Sequence, residues 1–416
     1  MKKQKRIPEK KNKIMLFLKI LLLVLLIGMV ILAGLIMRKM TATQQENEQE
    51  QKWEQLDKSM EQPTEPISRE EADESRYGAL LADEEKMREQ NIHALEGREN
   101  GEVTLLFAGD ILFDEGYTPM IHLNQKGQGI FGVFSEELMQ LMQAADIFML
   151  NNEFPYSTRG EPLEGKQYTF RALPETASFL ADMGVEVVSL ANNHAYDYGK
   201  EALLDTFSAL DRYGISYVGA GHDLAEASGA IYYVVNDYKI GILSATQIER
   251  LDHPDTKSAT ETEPGVFRCW NIGLLLQQIE VVKADCDYLV VYIHWGTENE
   301  SGIDWAQEEQ AAKIAEAGAD LIVGTHPHCL QKIARVKGVP VIYSLGNFWF
   351  NSKSLDTGLF KVTIDTQTGE EKMQFIPAAQ QGCETKLLEG TEKERVLSYM
   401  TELSTPITLD ENGFFE

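Results

Sequence analysis

Cysteine and basic residues are both scarce in this chain, and each scarcity narrows what it can be. Only four of its 416 residues are cysteine (Cys269, Cys286, Cys329 and Cys383). No two of them stand in C-x-x-C spacing, so neither a zinc ribbon nor a dithiol redox pair is indicated. One or two disulfides are open to an exported protein, and free buried thiols equally so. Lys and Arg number 38 against 65 Asp and Glu, a net charge of −27. A nucleic-acid partner requires basic surface to displace counterions from phosphates, and that class is excluded. No internal repeat is evident.

An uncharged apolar run long enough to span a bilayer occurs once. Ile20 to Met37 is 18 residues without a charge, sufficient for a crossing helix at about 1.5 Å per residue. Seven basic residues (Lys2, Lys3, Lys5, Arg6, Lys10, Lys11, Lys13) precede it besides Lys19 at its edge, and only Arg38 and Lys39 follow closely. The positive-inside rule then puts the amino terminus in the cytoplasm and the remainder outside the cell membrane, held by a single pass. A cleavable signal peptide has a similar layout, but this run is long for a signal and no A-x-A site closes it. Lys19 can snorkel to the inner headgroups.

Composition divides the chain into four zones. Residues 1–40 read as cytoplasmic basic tail and anchor. Residues 41–100 hold 17 acidic against 7 basic residues and few large apolar ones, too little to offset chain entropy, so they read as an acidic extracellular linker with a solvated helix around Arg69 to Gln90. Residues 101–390 carry the folded domain, beginning near Val103. Residues 391–416 are left as a C-terminal tail. Within the domain, strand patterns alternate with helix patterns such as SEELMQLMQAA and DWAQEEQAAKIAEAG, which predicts repeated βα units, an α/β fold and a mainly parallel sheet. A hairpin turning at Thr368-Gly369 is expected near the end.

Six apolar runs in this domain each end on a residue able to bind a metal or move a proton. VTLLFAG runs into Asp110, IFMLN into Asn152 and Glu153, and EVVSLA into Asn192, Asn193 and His194. YLVVYI runs into His294, LIVGT into His326-Pro327-His328, and VIYSLG into Asn347. Runs with little alternation suit parallel strands buried on both faces, and ligands of open α/β sheets gather beyond the carboxyl ends of such strands. The six endings read as one site. Asp110, Glu153, Asn193, His294, His326 and His328 are the candidate metal ligands. Carboxylate, amide oxygen and imidazole together suit one or two divalent ions of borderline hardness, Mn²⁺, Fe²⁺ or Zn²⁺. Glu153 can bridge two ions, and His326 and His328, two apart, point the same way if their chain is extended. His194 is left to handle protons, with Asp197 to orient it. Asn347 and Arg171 are candidate substrate contacts.

The motifs GDILFD, NNEFP, SLANNHAYDYG, HWGTE, GTHPHCLQ and YSLGNFWF carry a resemblance, over roughly residues 103 to 380, to the CapA family of poly-γ-glutamate capsule synthesis proteins. That family is similar in fold to calcineurin-like metallophosphoesterases. The resemblance implies an α/β/β/α sandwich behind one N-terminal transmembrane helix. It also implies a role in making, exporting or processing an anionic surface polymer such as poly-γ-glutamate, with a capsule synthesis or export complex as partner. There are departures from the phosphoesterase pattern. Leu112 stands where D-x-H has its histidine, Ala195 follows His194 where an acid is usual, and Asn151-Asn152-Glu153 replaces G-D-x-x-D.

Hydrolysis is the first mechanism this implies. A metal ion lowers the pKa of water and polarises the scissile bond, and His194 protonates the leaving group. Phosphoester and γ-linked amide are both open as the target. The alternative is a non-catalytic, polymer-binding or scaffold subunit that retains the site for a structural ion.

Overall fold

Two sheets meeting face to face organise the chain. The computed structural model describes residues 75–249 and 256–415. The expected anchor at Ile20 to Met37, the linker up to residue 74, and His253 lie outside the described residues. The first sheet has seven strands in the order Ile92–Ala94, Ile231–Val235, Tyr238–Thr246, Tyr288–His294, Leu321–Thr325, Val339–Ile342 and Ile333–Val336. The second has eight on its main path and beside it. Its order is Glu384–Leu387, Glu371–Gln381, Leu355–Asp365, Glu102–Ile111, Ile147–Asn152, Val187–Ser189 and Ser216–Val218, with Asn347–Trp349 also pairing on Glu102–Ile111. The α/β class expected from the sequence is the one found.

Parallel pairing runs through the centre of each sheet, and antiparallel pairing is confined to strands on its flanks. Tyr288–His294 runs parallel to both neighbours, as does Ile147–Asn152. These are the strands whose sequences are almost continuously apolar, as burial on both faces requires. Side chains still alternate between two different cores. From the strand Glu102–Ile111, Val103, Leu105 and Phe107 enter a core shared with Ile240, Ile242, Val290 and Tyr292 of the other sheet. Leu106 and Ala108 face the opposite way, against Leu138, Met142, Leu180 and Leu203 from helices. On the far side, Leu289, Val291 and Ile293 pack on Leu275, Ile279, Ala311 and Ile314. Helix, sheet, sheet and helix layers result.

Two segments contribute more than composition indicated. Within the stretch expected as linker, the helix Glu84–Glu89 is capped by Asp83, and Ile92–Ala94 adds a parallel edge strand to the first sheet. Three residues, of which Ile92 alone is fully buried, are too few to show a period. Within the expected tail, the helix Gly390–Leu403 turns Val396, Leu397 and Met400 into the core between the sheets. Their i, i+1, i+4 spacing is one narrow helical stripe, which a sparse apolar count conceals. The hairpin forms as expected, with Gly369 at φ 72° between Leu355–Asp365 and Glu371–Gln381. All four cysteines are free thiols.

Candidate metal centre

The strand ends named from sequence converge from both sheets. Asp110, within the last residues of its strand, and Glu153 and Asn193, beyond theirs, come from the second sheet, while His294, the last residue of its strand, and His326 and His328, beyond theirs, come from the first. Local sequence makes the approach close. Asp110 donates its backbone N–H to Gly346 O at 3.0 Å, and a Cβ on Gly109 would lie 1.8 Å from that same oxygen. Only glycine fits there, so Asp110 and Asn347 stand side by side. Beyond Leu321–Thr325, the backbone does not stay extended: His326 has φ 97° and His328 φ 56°. The expectation that the two histidines project alike from extended chain is therefore corrected. Left-handed backbone on either side of Pro327 sends them to different parts of the cluster, with ring centroids 5.9 Å apart.

Two groups of ligand atoms, each within 4.8 Å of one another, share Glu153: Glu153, His294 and His326 form one, and Asp110, Glu153 and His328 the other. In the first, His294 Nε2 stands 2.9 Å from Asn193 Oδ1 and 3.1 Å from His326 Nδ1. His294 Nδ1 is engaged by Thr325 Oγ1 at 3.0 Å. With the imidazole proton assigned to that side, three lone pairs converge on one point. In the second, His328 Nδ1 is 3.1 Å from Asp110 Oδ2 and 2.8 Å from Asn347 Oδ1.

Glu153 joins the groups through a single oxygen. Its Oε2 accepts from Asn151 Nδ2 at 3.1 Å. Its Oε1 is buried without a hydrogen-bond partner, although three imidazole Nε2 atoms surround it: His294 at 3.7 Å, His328 at 3.8 Å and His194 at 4.0 Å. Those separations are too long for hydrogen bonds. They are near the roughly 3.0–3.6 Å that divides two ligands bonded at about 2.1 Å to one ion. Asp110 Oδ2 is likewise buried, with His328 Nδ1 at 3.1 Å as its close polar neighbour. The donor set and the orphaned Glu153 Oε1 fit a divalent cation.

The electrostatics divide the cluster. Burial first, then the neighbouring His328 and His194, hold His326 well below the usual imidazole range. Burial followed by His326 and His328 does the same for His294. Both are thus neutral, as ligands must be. Burial also raises Glu153 well above the ordinary carboxylate range, against the pull of His328. For His328 burial opposes the charge, but Glu153 and Asp110 outweigh it and push the group up to about 9.

His194 stands apart from the ligand groups. Its Nδ1 meets Asp197 Oδ2 at 2.7 Å, its backbone N–H is held by Asn192 Oδ1 at 3.0 Å, and Phe170 lies against the ring at 4.3 Å between centroids. Asp197 is wholly buried and pairs through its other oxygen with Lys166 at 2.6 Å. Lys166 also donates to Asn193 O. Sequence reasoning missed this lysine, because a single charge in the loop EGKQYTF carries no periodic signal. It also missed Asn151, whose Nδ2 bridges Asp110 Oδ1 at 2.8 Å and Glu153. Its position at a strand's carboxyl end was the available signal. Arg171 is not brought to the cluster by its contacts: its guanidinium lies over the Tyr198 ring at 4.1 Å and reaches Arg159 O. Trp295 and Phe348 are fully buried wall residues.

Residues 104–352, more than half the chain, match the family described as bacterial capsule synthesis protein PGA_cap. The chain belongs to this family. Among curated relatives, the capsule biosynthesis protein CapA of Bacillus anthracis is 28% identical over 334 residues, covering 78% of this chain and 79% of that one. The PGA biosynthesis protein CapA of Bacillus subtilis is 31% identical over 276 residues, 65% of this chain and 70% of that one. A probable polyglutamine synthesis accessory protein of Mycobacterium tuberculosis is 29% identical over 210 residues, 49% of this chain and 55% of that one. The PGA_cap match ends soon after Asn347, so it takes in every strand end that supplies the cluster.

Proposed function

We propose that this chain is a single-pass membrane protein whose outer domain acts in making, exporting or processing poly-γ-glutamate, through a metal-dependent hydrolytic site of metallophosphoesterase type. The observation that carries the reading is Glu153 Oε1, buried, without a hydrogen bond, and ringed by imidazole nitrogens. An orphaned buried carboxylate oxygen is costly, and a divalent cation is the partner that relieves it. The polymer is suggested by family membership and by the names of the relatives. The anchor rests on the uncharged run Ile20 to Met37 and its basic flank. Among the described residues no helix is long and apolar enough to cross a membrane.

Asp110, Glu153, Asn193, His294, His326 and His328 would hold the ion. When bound, it would supply Lewis-acid polarisation and a lowered pKa for water. The chain's own residues do the remainder. Asp197 fixes His194 through Nδ1, which leaves Nε2 toward the cluster to take a proton from the attacking water and pass it to the leaving group. Lys166 in turn steadies Asp197. One observation favours the scaffold alternative: Leu112, fully buried, takes the position of an imidazole in the D-x-H pattern. Elemental analysis of the purified protein, then assays on model phosphodiesters and γ-glutamyl peptides, tests the choice. Stoichiometric metal with chelator-sensitive turnover of either substrate is expected. Bound metal with no turnover of either would leave the scaffold.

A further inference from the structure

Two clefts adjoin the cluster and share Asn193 and Glu298. One, of 510 Å³, is bordered by Lys166, Tyr168 and His194. The other, of 470 Å³, is bordered by His326, Asp304, Trp270 and Trp305. Trp305 is 72% exposed and Trp270 44% exposed, so two of the five tryptophans in the chain offer their rings to one cleft. Trp305 is held in place by local structure. It is the first residue of the helix Trp305–Ala317, whose start is fixed by the reciprocal capping of Asp304 and Gln307. Rigidly based aromatic faces beside convergent polar groups are the makings of a ligand surface.

The charges on this cleft select the ligand. Glu298 and Asp304 border it, as does Glu249, which is ion-paired with Arg268, and among the described residues that border it there is no lysine or arginine. A chain of carboxylates would meet repulsion here. A sugar ring meets the opposite: its C–H face carries the slight positive charge that an indole face attracts, and its hydroxyls donate to carboxylates. We propose that the tryptophan cleft binds a glycan strand, built of neutral or amino sugars, beside the metal centre. The polymer acted on is then joined to, or made alongside, carbohydrate. That last placement rests on the hydrolase reading, whereas the binding does not.

The test titrates the full-length protein in detergent with a tetramer of N-acetylglucosamine, and separately with a γ-linked glutamate tetramer, by calorimetry. Saturable binding of the sugar is expected. Trp305→Ala and Trp270→Ala should each weaken it on the order of tenfold, the scale of one aromatic stacking contact, with metal content unchanged. Chelator should leave sugar binding intact, so absence of metal would end the hydrolase reading alone. Failure of the sugar to bind, binding indifferent to both variants, or glutamate binding that the tryptophan variants abolish would each overturn the glycan assignment.

Discussion

Glu153 and His194 sit 4.0 Å apart and yet have opposite expected roles, which single substitutions separate. Ligand loss should show as metal loss. His326→Ala and His328→Ala each remove one imidazole from a group sharing Glu153. Elemental analysis should find metal sharply reduced in both, with a lower melting temperature, since an ion that binds only the folded state stabilises it. Equal metal in wild type and the double variant would refute the site. His194→Ala should instead keep its metal and lose about 10²–10⁴ in turnover, the usual worth of general acid–base catalysis. Asp197→Asn should cost less than His194→Ala, because it disturbs the ring's orientation and not its presence. Full turnover by His194→Ala would remove the proton-transfer role.

At the scale of elements, two junctions lend themselves to measurement. The helix Gly390–Leu403 buries Met400 completely in the core between the sheets. Met400→Ala should lower stability to unfolding by about 2–5 kcal/mol, read by denaturant titration. A value near zero would mean that the helix packs loosely. The second junction is Glu186, which precedes the strand Val187–Ser189 and accepts Phe148 N–H at 2.6 Å. Burial raises its pKa from 4.5 to about 8. The folded state therefore binds this proton more tightly than the unfolded chain. The stability it contributes is complete below about 4.5 and is lost as pH rises through about 8. Melting temperatures of wild type and Glu186→Gln should diverge across that window, with the variant relatively more stable at the alkaline end. Parallel curves would contradict the raised pKa.

At the scale of the molecule, residues 1–74 would join the outer domain to a membrane. Full-length protein should stay with membranes after carbonate washing, and external protease should reach the folded domain. Release of a shortened soluble form would support a cleaved signal instead. A domain held this way can meet a polymer as it leaves the cell. On a chain with a net charge of −27, two exposed indole rings beside one cleft form a distinctive surface.

Asp110, Glu153, His294 and His326 were legible because each ends a strand buried on both faces. Such strands read as unbroken apolar runs, and a polar residue closing one stands out. The α/β class and the hairpin at Gly369 were legible for the same local reason: period and turn chemistry are properties of neighbouring residues. Tertiary structure alone decided the rest. Which strand ends face each other depends on the core shared by the two sheets, as does the meeting of His294 with Asn193, 101 residues apart in sequence. The left-handed backbone at His326 and His328, the pairing of Lys166 with Asp197, and the docking of Ile92–Ala94 and Gly390–Leu403 are non-local in the same way. Hydrophobic periodicity records whether a residue is buried; it carries no record of the partner, because apolar contact is non-directional.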